Sequence, residues 1–238
     1  MGKAALCMLV GLALLSGCSP TDSGNAVADH PTPNAQIIVS GYAQVQSPMQ
    51  SGKTAYSITC AIQNQDQSKS NSEFNSATAT VNGIALGRYS DGVFVNVGEM
   101  QFSQGDSLEF IVKHPKIGTI KQVLSVPPSI SDYTVSPGMP AQNFTNNLST
   151  FFLSWTPVDA NLYYVATDCY NAREVFMTEY GFSTSADTIT VVVQDSTNHP
   201  YPFLQFRLMS FNAASVTGFA IGSGFYVEGT YFKVYSNL

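Results

Sequence analysis

Apolar and polar positions along this chain fall into three regimes. Residues Ala4 to Leu15 form an apolar run behind a single cation, Lys3. The run is too short for a membrane-spanning helix, which needs about 20 apolar residues, and matches a secretory h-region of about 7–15. From Ser19 to Ala35 the chain is rich in Ser, Thr, Asn, Asp, Gly and Pro and nearly free of large apolar groups. Such a stretch cannot bury enough surface to offset its ordering entropy, and reads as a tether spanning roughly 20–25 Å. From Gln36 onward the pattern has period two, in short runs separated by turn residues, which predicts an all-β chain.

In the first β segment, 36–128, Ile37, Val39, Tyr42 and Val45 predict a strand interrupted near Gly41. Tyr56, Ile58, Cys60 and Ile62 share one face and Ser57, Thr59, Ala61 and Gln63 the other, so Cys60 faces the core. Asn64 to Asn75 reads as a polar loop. Asn82-Gly83, after Ala77 to Val81, predicts a two-residue hairpin turn, because type I′ needs positive φ at both central positions. Ile84 to Leu86 begin the return strand. Tight turns follow at Asp91-Gly92, leading into Val93 to Val97, and at Gln104-Gly105-Asp106, beyond which Leu108, Phe110 and Val112 alternate. After His114-Pro115 and Gly118, Ile120 to Val126 close the set and Pro127-Pro128 stops it. About seven strands in roughly 90 residues resemble an immunoglobulin-like sandwich.

The second segment, 129–238, restarts with Tyr133, Val135 and Pro137. From Ser149 to Asn171 it reads STFFLSWTPVDANLYYVATDCYN: an apolar strand ending in Trp155, a Pro-containing turn, then a Tyr-Val strand. This resembles strands B and C of fibronectin type III domains. The resemblance covers about 100 residues, with Ile189, Val191 and Val193 in the place of strand E and Phe206, Leu208 and Ser210 to Ala213 in that of strand F. It implies that Trp155 is core. Phe152 does not fit strict alternation, which predicts cover on both faces of its strand. The family's Tyr corner has no clean counterpart at Tyr201-Pro202-Phe203, and the long Gly218 to Gly229 segment is also a departure. The expected architecture is therefore all-β, with two tandem immunoglobulin-like and fibronectin type III-like β-sandwiches. They follow a signal peptide, 1–17, and a lipidated Cys with tether, 18–35.

The signal-like run ends in Leu15-Ser16-Gly17-Cys18, a branched apolar residue, two small residues, then Cys. This resembles the lipobox of bacterial lipoproteins. The resemblance implies that Leu15, Ser16 and Gly17 are read by the signal peptidase, that the Cys18 sulfur takes a diacylglycerol through a thioether, and that the peptide is cut before it. The new amine is then usually acylated. Each buried CH₂ adds about 0.8 kcal/mol and one chain alone holds a protein only marginally, so two or three chains make a lasting membrane anchor. Ser19, rather than Asp, after the Cys goes in many Gram-negative members with export to the outer membrane. The expected location is the bacterial cell envelope, lipid-anchored, and the outer membrane if the cell is Gram-negative.

Only 11% of residues are charged and the net charge is −6, one unit more negative once Lys3 leaves with the signal. Phosphate binding needs clustered Lys and Arg, so nucleic acid is an unsuitable partner. Lys113, Lys116 and Lys121 read as solvated positions around a hairpin loop. Of four cysteines, Cys7 leaves with the signal and Cys18 carries lipid. An exported compartment permits a bridge between Cys60 and Cys169. Mid-strand positions in different domains can hardly bring their Cα atoms within about 7 Å, which favours buried free thiols.

Chemistry is sparse. His30, His114 and His199 each precede a proline and read as solvated turn residues. No HExxH, Cys-x-x-Cys or EF-hand pattern occurs, and Asp66 offers one oxygen ligand where hard cations want six, so no metal and no cofactor is expected. Gly222-Ser223-Gly224 is shorter than a nucleophile elbow and reads as a bulge or hairpin. Glu99, Asp106, Glu109, Asp168, Glu174, Glu179, Asp187 and Asp195 show no spacing that pairs them and read as surface acids. At the C terminus, alternation puts Phe232 and Val234 on one face and Tyr231, Lys233 and Tyr235 on the other, either as ordinary cross-strand packing or as a ladder able to stack on sugars or anchor a protein. The functional expectation is a non-catalytic binding or scaffold module for protein or polysaccharide. A hydrolase whose acids meet only in the fold and a structural subunit of an envelope assembly are the alternatives.

Overall fold

The computed structural model describes residues 36–48, 54–130, 132–137, 148–170, 176–186, 188–194, 203–229 and 232–237. The chain is all-β, and among the described residues there is no α-helix. Its early strands are β1 (Ile37–Pro48), β2 (Thr54–Asn64), β3 (Thr78–Val81), β4 (Ile84–Ala85), β5 (Gly87–Ser90) and β6 (Val93–Val95). Next come β7 (Met100–Phe102), β8 (Ser107–His114), β9 (Gly118–Ser125), β10 (Tyr133–Pro137), β11 (Leu148–Trp155) and β12 (Leu162–Tyr170). The last are β13 (Phe176–Thr184), β14 (Thr188–Gln194), β15 (Phe203–Ser215), β16 (Gly224–Glu228) and β17 (Phe232–Asn237).

Two compact units emerge, but neither follows the expected simple division. One runs up to Val126 and also takes Asn212–Glu228; the other is Pro127–Phe211 with Gly229–Leu238. The span 129–238 is therefore not a single sandwich. The reason is β16, which pairs in parallel with β1, Ser40 opposite Gly224 through Ala43 opposite Val227. That register carries Phe225 and Val227, both fully buried, into the first core.

In the first unit one sheet has the order β16-β1-β2-β6-β5, with β7 also on β2, and the other is β4-β3-β8-β9. Val39, Ile58, Cys60 and Ile62 of the first sheet and Ala79, Val81, Leu108 and Phe110 of the second form one buried cluster, so the unit is a β-sandwich. Strand β1 is not interrupted at Gly41. A Cβ there would collide with the Phe225 ring, so the glycine makes room for that ring instead of breaking the strand. Asn82 and Gly83 have φ of 48° and 76°, the geometry a type I′ turn requires. The described part of 36–126 holds nine strands where the pattern predicted about seven. Two segments account for the excess. After β4, Leu86 turns into the core and the chain crosses to the facing sheet as β5, while Val93–Phe102 is broken into β6 and β7.

In the second unit, sheet β10-β11-β14 faces a sheet in which β12 lies between β13 and β15 and β17 pairs with β15. Leu153, Trp155, Tyr163, Val165, Phe206 and Leu208 make its core. The Trp155 ring meets Tyr163 edge-on at 5.2 Å between centroids. The segments likened to strands B, C, E and F are β11, β12, β14 and β15. Phe152, however, is 50% exposed, so the outer face of β11 is open there and alternation with Leu153 and Trp155 holds after all.

Candidate functional site

A concavity among the described residues lies on the first unit and originates in a broken strand. Strands β6 and β7 both pair with β2, at Thr59–Ala61 and Thr54–Tyr56 respectively, but the residues between them leave the ladder. Asn96 fills the gap. Its N–H donates to the Ile58 carbonyl (3.1 Å), its Oδ1 accepts the Ile58 N–H (2.9 Å), and its Nδ2 donates to the carbonyls of Tyr56 (3.1 Å) and Gly98 (2.6 Å). With an amide side chain doing the pairing, Val97–Glu99 bows outward. The bow leaves a shallow, mostly apolar cleft of about 330 Å³, walled by Ile84 and Ala85 of β4 on one side and by Asn96–Phe102 on the other. Val97 is 82% exposed and Ile84 55%. Gly87 is needed beneath this bow, because a Cβ there would strike the Val97 side chain. Sequence reasoning missed the cleft, since Val93–Val97 reads as one continuous alternating strand.

Of the residues singled out from sequence only Glu99, an exposed acid, lines this cleft, and the others lie elsewhere. Leu15, Ser16, Gly17, Cys18 and Tyr231 fall outside the described residues, as do His30 and His199. Lys233 and Tyr235 sit in β17, opposite Arg207 and Gln205 of β15, while Phe232 and Val234 lie opposite the core residues Leu208 and Phe206. Cys60 is a buried free thiol, and burial pushes it up to about 12. Cys169 lies in β12, opposite Leu204. Lys113 and Lys116 are exposed at the β8–β9 hairpin and Lys121 pairs with Glu109. Ser223 sits in the connection from β15 to β16, where its Oγ accepts the Val39 N–H at 3.2 Å.

Two polar groups depart from expectation and a third was not anticipated. His114 is not a solvated turn residue. It ends the inward-facing row Leu108, Phe110, Val112 on β8, is buried, and donates from Nε2 to the Glu73 carbonyl at 3.2 Å, edge-on to Phe74. Asp168 is not a surface acid. It is 5% exposed and bound in a fork by Arg207, Nε to Oδ2 and Nη2 to Oδ1, both at 2.8 Å, with Gln205 donating to Oδ2 at 3.3 Å. Glu228, which the sequence did not single out, is buried and accepts the Tyr42 hydroxyl. Burial first, then the Glu228 charge and that hydrogen bond, raise the Tyr42 phenol far above its ordinary range. Burial likewise raises Tyr56, helped by Glu228 and Asp106. Among the described residues no three His, Cys, Asp or Glu side chains gather as a metal would require.

No protein-family model matches the chain, and no curated protein does either. Among solved structures, two cytokine receptor complexes overlay it. One, in crystal form 1A, is 11% identical, with 76% of this chain and 90% of that chain covered and a TM-score of 0.29. The other, in crystal form 2, is 9% identical over 82% and 99%, with a TM-score of 0.30. A β-glycosidase from Bacteroides vulgatus is 13% identical over 94% of this chain and 31% of that longer chain, with a TM-score of 0.26. The scores are low, and the architecture rests on the strand pairing itself.

Proposed function

We propose that this protein is a lipid-anchored component of the bacterial cell envelope that holds β-sandwiches at the membrane surface as a non-catalytic binding or scaffold module for a protein or polysaccharide partner. The observation that carries the reading is Leu15-Ser16-Gly17-Cys18 closing an apolar run, followed by a polar tether and then strands. Tethering raises the local concentration of a binding surface toward partners fixed in the same envelope. It supplies that advantage without any catalytic group. The immunoglobulin-like and fibronectin type III-like assignments of the two units belong to the same proposal, supported by the two-sheet layering and by Trp155 in the second core. A glycosidase reading would want two acids facing one cleft about 5–10 Å apart. The cleft described above is lined by one acid, Glu99.

The test is replacement of the acyl acceptor. Cys18→Ser is expected to move the protein from the membrane fraction to the soluble fraction, and to abolish incorporation of a labelled fatty acid, while circular dichroism stays unchanged. Retention of the variant in the membrane fraction would overturn the anchor.

A further inference from the structure

Two strand edges flank the cleft of the first unit. Among the described residues β7 pairs only with β2, and β4 is the terminal strand of its own sheet. A free edge presents unpaired backbone N–H and C=O groups that a further strand can satisfy. Between the two edges stand Ile84 and Val97, both largely exposed, whose burial would reward a partner that covers them. Glu99, at the lip, is exposed and makes no ion pair among the described residues, in a chain whose net charge is already −6. Charge complementarity therefore asks for a basic group beside it. The cleft's aromatic residue, Phe102, is buried and offers no open ring face on which a sugar could stack.

We propose that this cleft docks an extended peptide segment of a protein partner. The segment adds as a strand along the free edge of β7, seats an apolar side chain between Ile84 and Val97, and sets a Lys or Arg beside Glu99. Main-chain pairing supplies affinity and the apolar seat supplies selectivity, as in strand addition generally. The proposal rests on the binding role above and gives that role its partner class.

The test uses the purified full chain bearing Cys18→Ser, kept in detergent, to select binders from a displayed library of random octapeptides. The best binder, made synthetically and labelled, is the probe for fluorescence anisotropy. The expected probe alternates apolar and polar residues and carries at least one Lys or Arg. N-methylation of alternate backbone amides is expected to abolish binding. Val97→Asp or Ile84→Asp is expected to weaken it about tenfold or more, an effect typical of a central contact. Both positions are on the surface, so the variants keep the wild-type circular dichroism. Glu99→Lys weakens the basic probe and favours the same probe with its basic residue changed to Glu. The docking site is overturned if no peptide binds saturably below about 1 mM, if the N-methylated probe binds equally well, if Val97→Asp is neutral, or if a soluble envelope oligosaccharide displaces the probe. Any of these with Cys18-dependent membrane association intact removes the docking site alone. Peptide binding without that association removes the anchor alone.

Discussion

At the scale of single residues, the glycine in β1 and the cysteine in β2 show how much a position depends on what packs against it. Gly41 sits where the Phe225 ring leaves no space for a Cβ. Gly41→Ala is expected to cost about 1–3 kcal/mol, the usual penalty for overfilling a core. Combined with Phe225→Leu it should cost less than the sum of the two single changes, because the smaller side chain returns the space. Urea denaturation of the two single variants and the pair measures this, and strict additivity would show that the two groups do not meet. Cys60 makes a different prediction. Its thiol ordinarily ionises near 9.0 and is pushed up to about 12 by burial, so the folded chain holds the neutral form over a range in which the unfolded chain ionises. Its contribution is fully present below pH 9.0 and is lost as pH rises toward about 12. Tyr42 and Tyr56 are raised in the same direction, so the test compares wild type with Cys60→Ala. The stability difference between them is expected to shift against the wild type as pH climbs through that window, and a constant difference would contradict it.

At the scale of elements, the polar groups that matter join strands that are distant in sequence. The Arg207 fork on Asp168 fastens β15 to β12 on a largely buried surface. Removing one partner leaves the other charge uncompensated, so Asp168→Ala is expected to destabilise the second unit by about 3 kcal/mol. Asp168→Leu with Arg207→Met removes both charges and should recover much of that loss, which a double-mutant cycle in denaturant resolves. These elements also show what the sequence makes readable. Strands β2 and β8 are legible because burying one face forces strict alternation, and the Asn82-Gly83 turn is legible because few residue pairs accept two positive φ angles. Asp168 was not legible as a buried acid. Its partner lies 39 positions on, and nothing local to a strand announces it. The break at Asn96 was hidden for a related reason. A side-chain amide that takes over backbone pairing leaves the apolar alternation around it intact, and the cleft it creates leaves no local signature.

At the scale of the whole molecule, the decisive feature is that the first sandwich is completed by chain that follows most of the second. Val39 and Ser223 are hydrogen-bonded across 184 positions, and Tyr42 and Glu228 across 186. A pairing so distant is set by tertiary packing, so nothing in the sequence around Phe225 to Val227 showed which core these residues enter. Cutting the chain after Phe211 would remove Phe225 and Val227, each worth about 1.5–3 kcal/mol when fully buried. It would also unpair one edge of β1 and leave the Tyr42 hydroxyl without its buried acceptor. Together these losses approach the whole stability of an ordinary domain, about 5–15 kcal/mol. Residues 36–126 alone are therefore expected to show no cooperative thermal transition and poor amide dispersion by NMR. The same span joined through a flexible linker to 212–228 should fold, and a synthetic 212–228 peptide added to 36–126 should restore dispersion in a saturable manner. A cooperative transition from 36–126 by itself would show that the first sandwich is complete without β16, and that the parallel pairing with β1 is an accessory to a core that closes on its own.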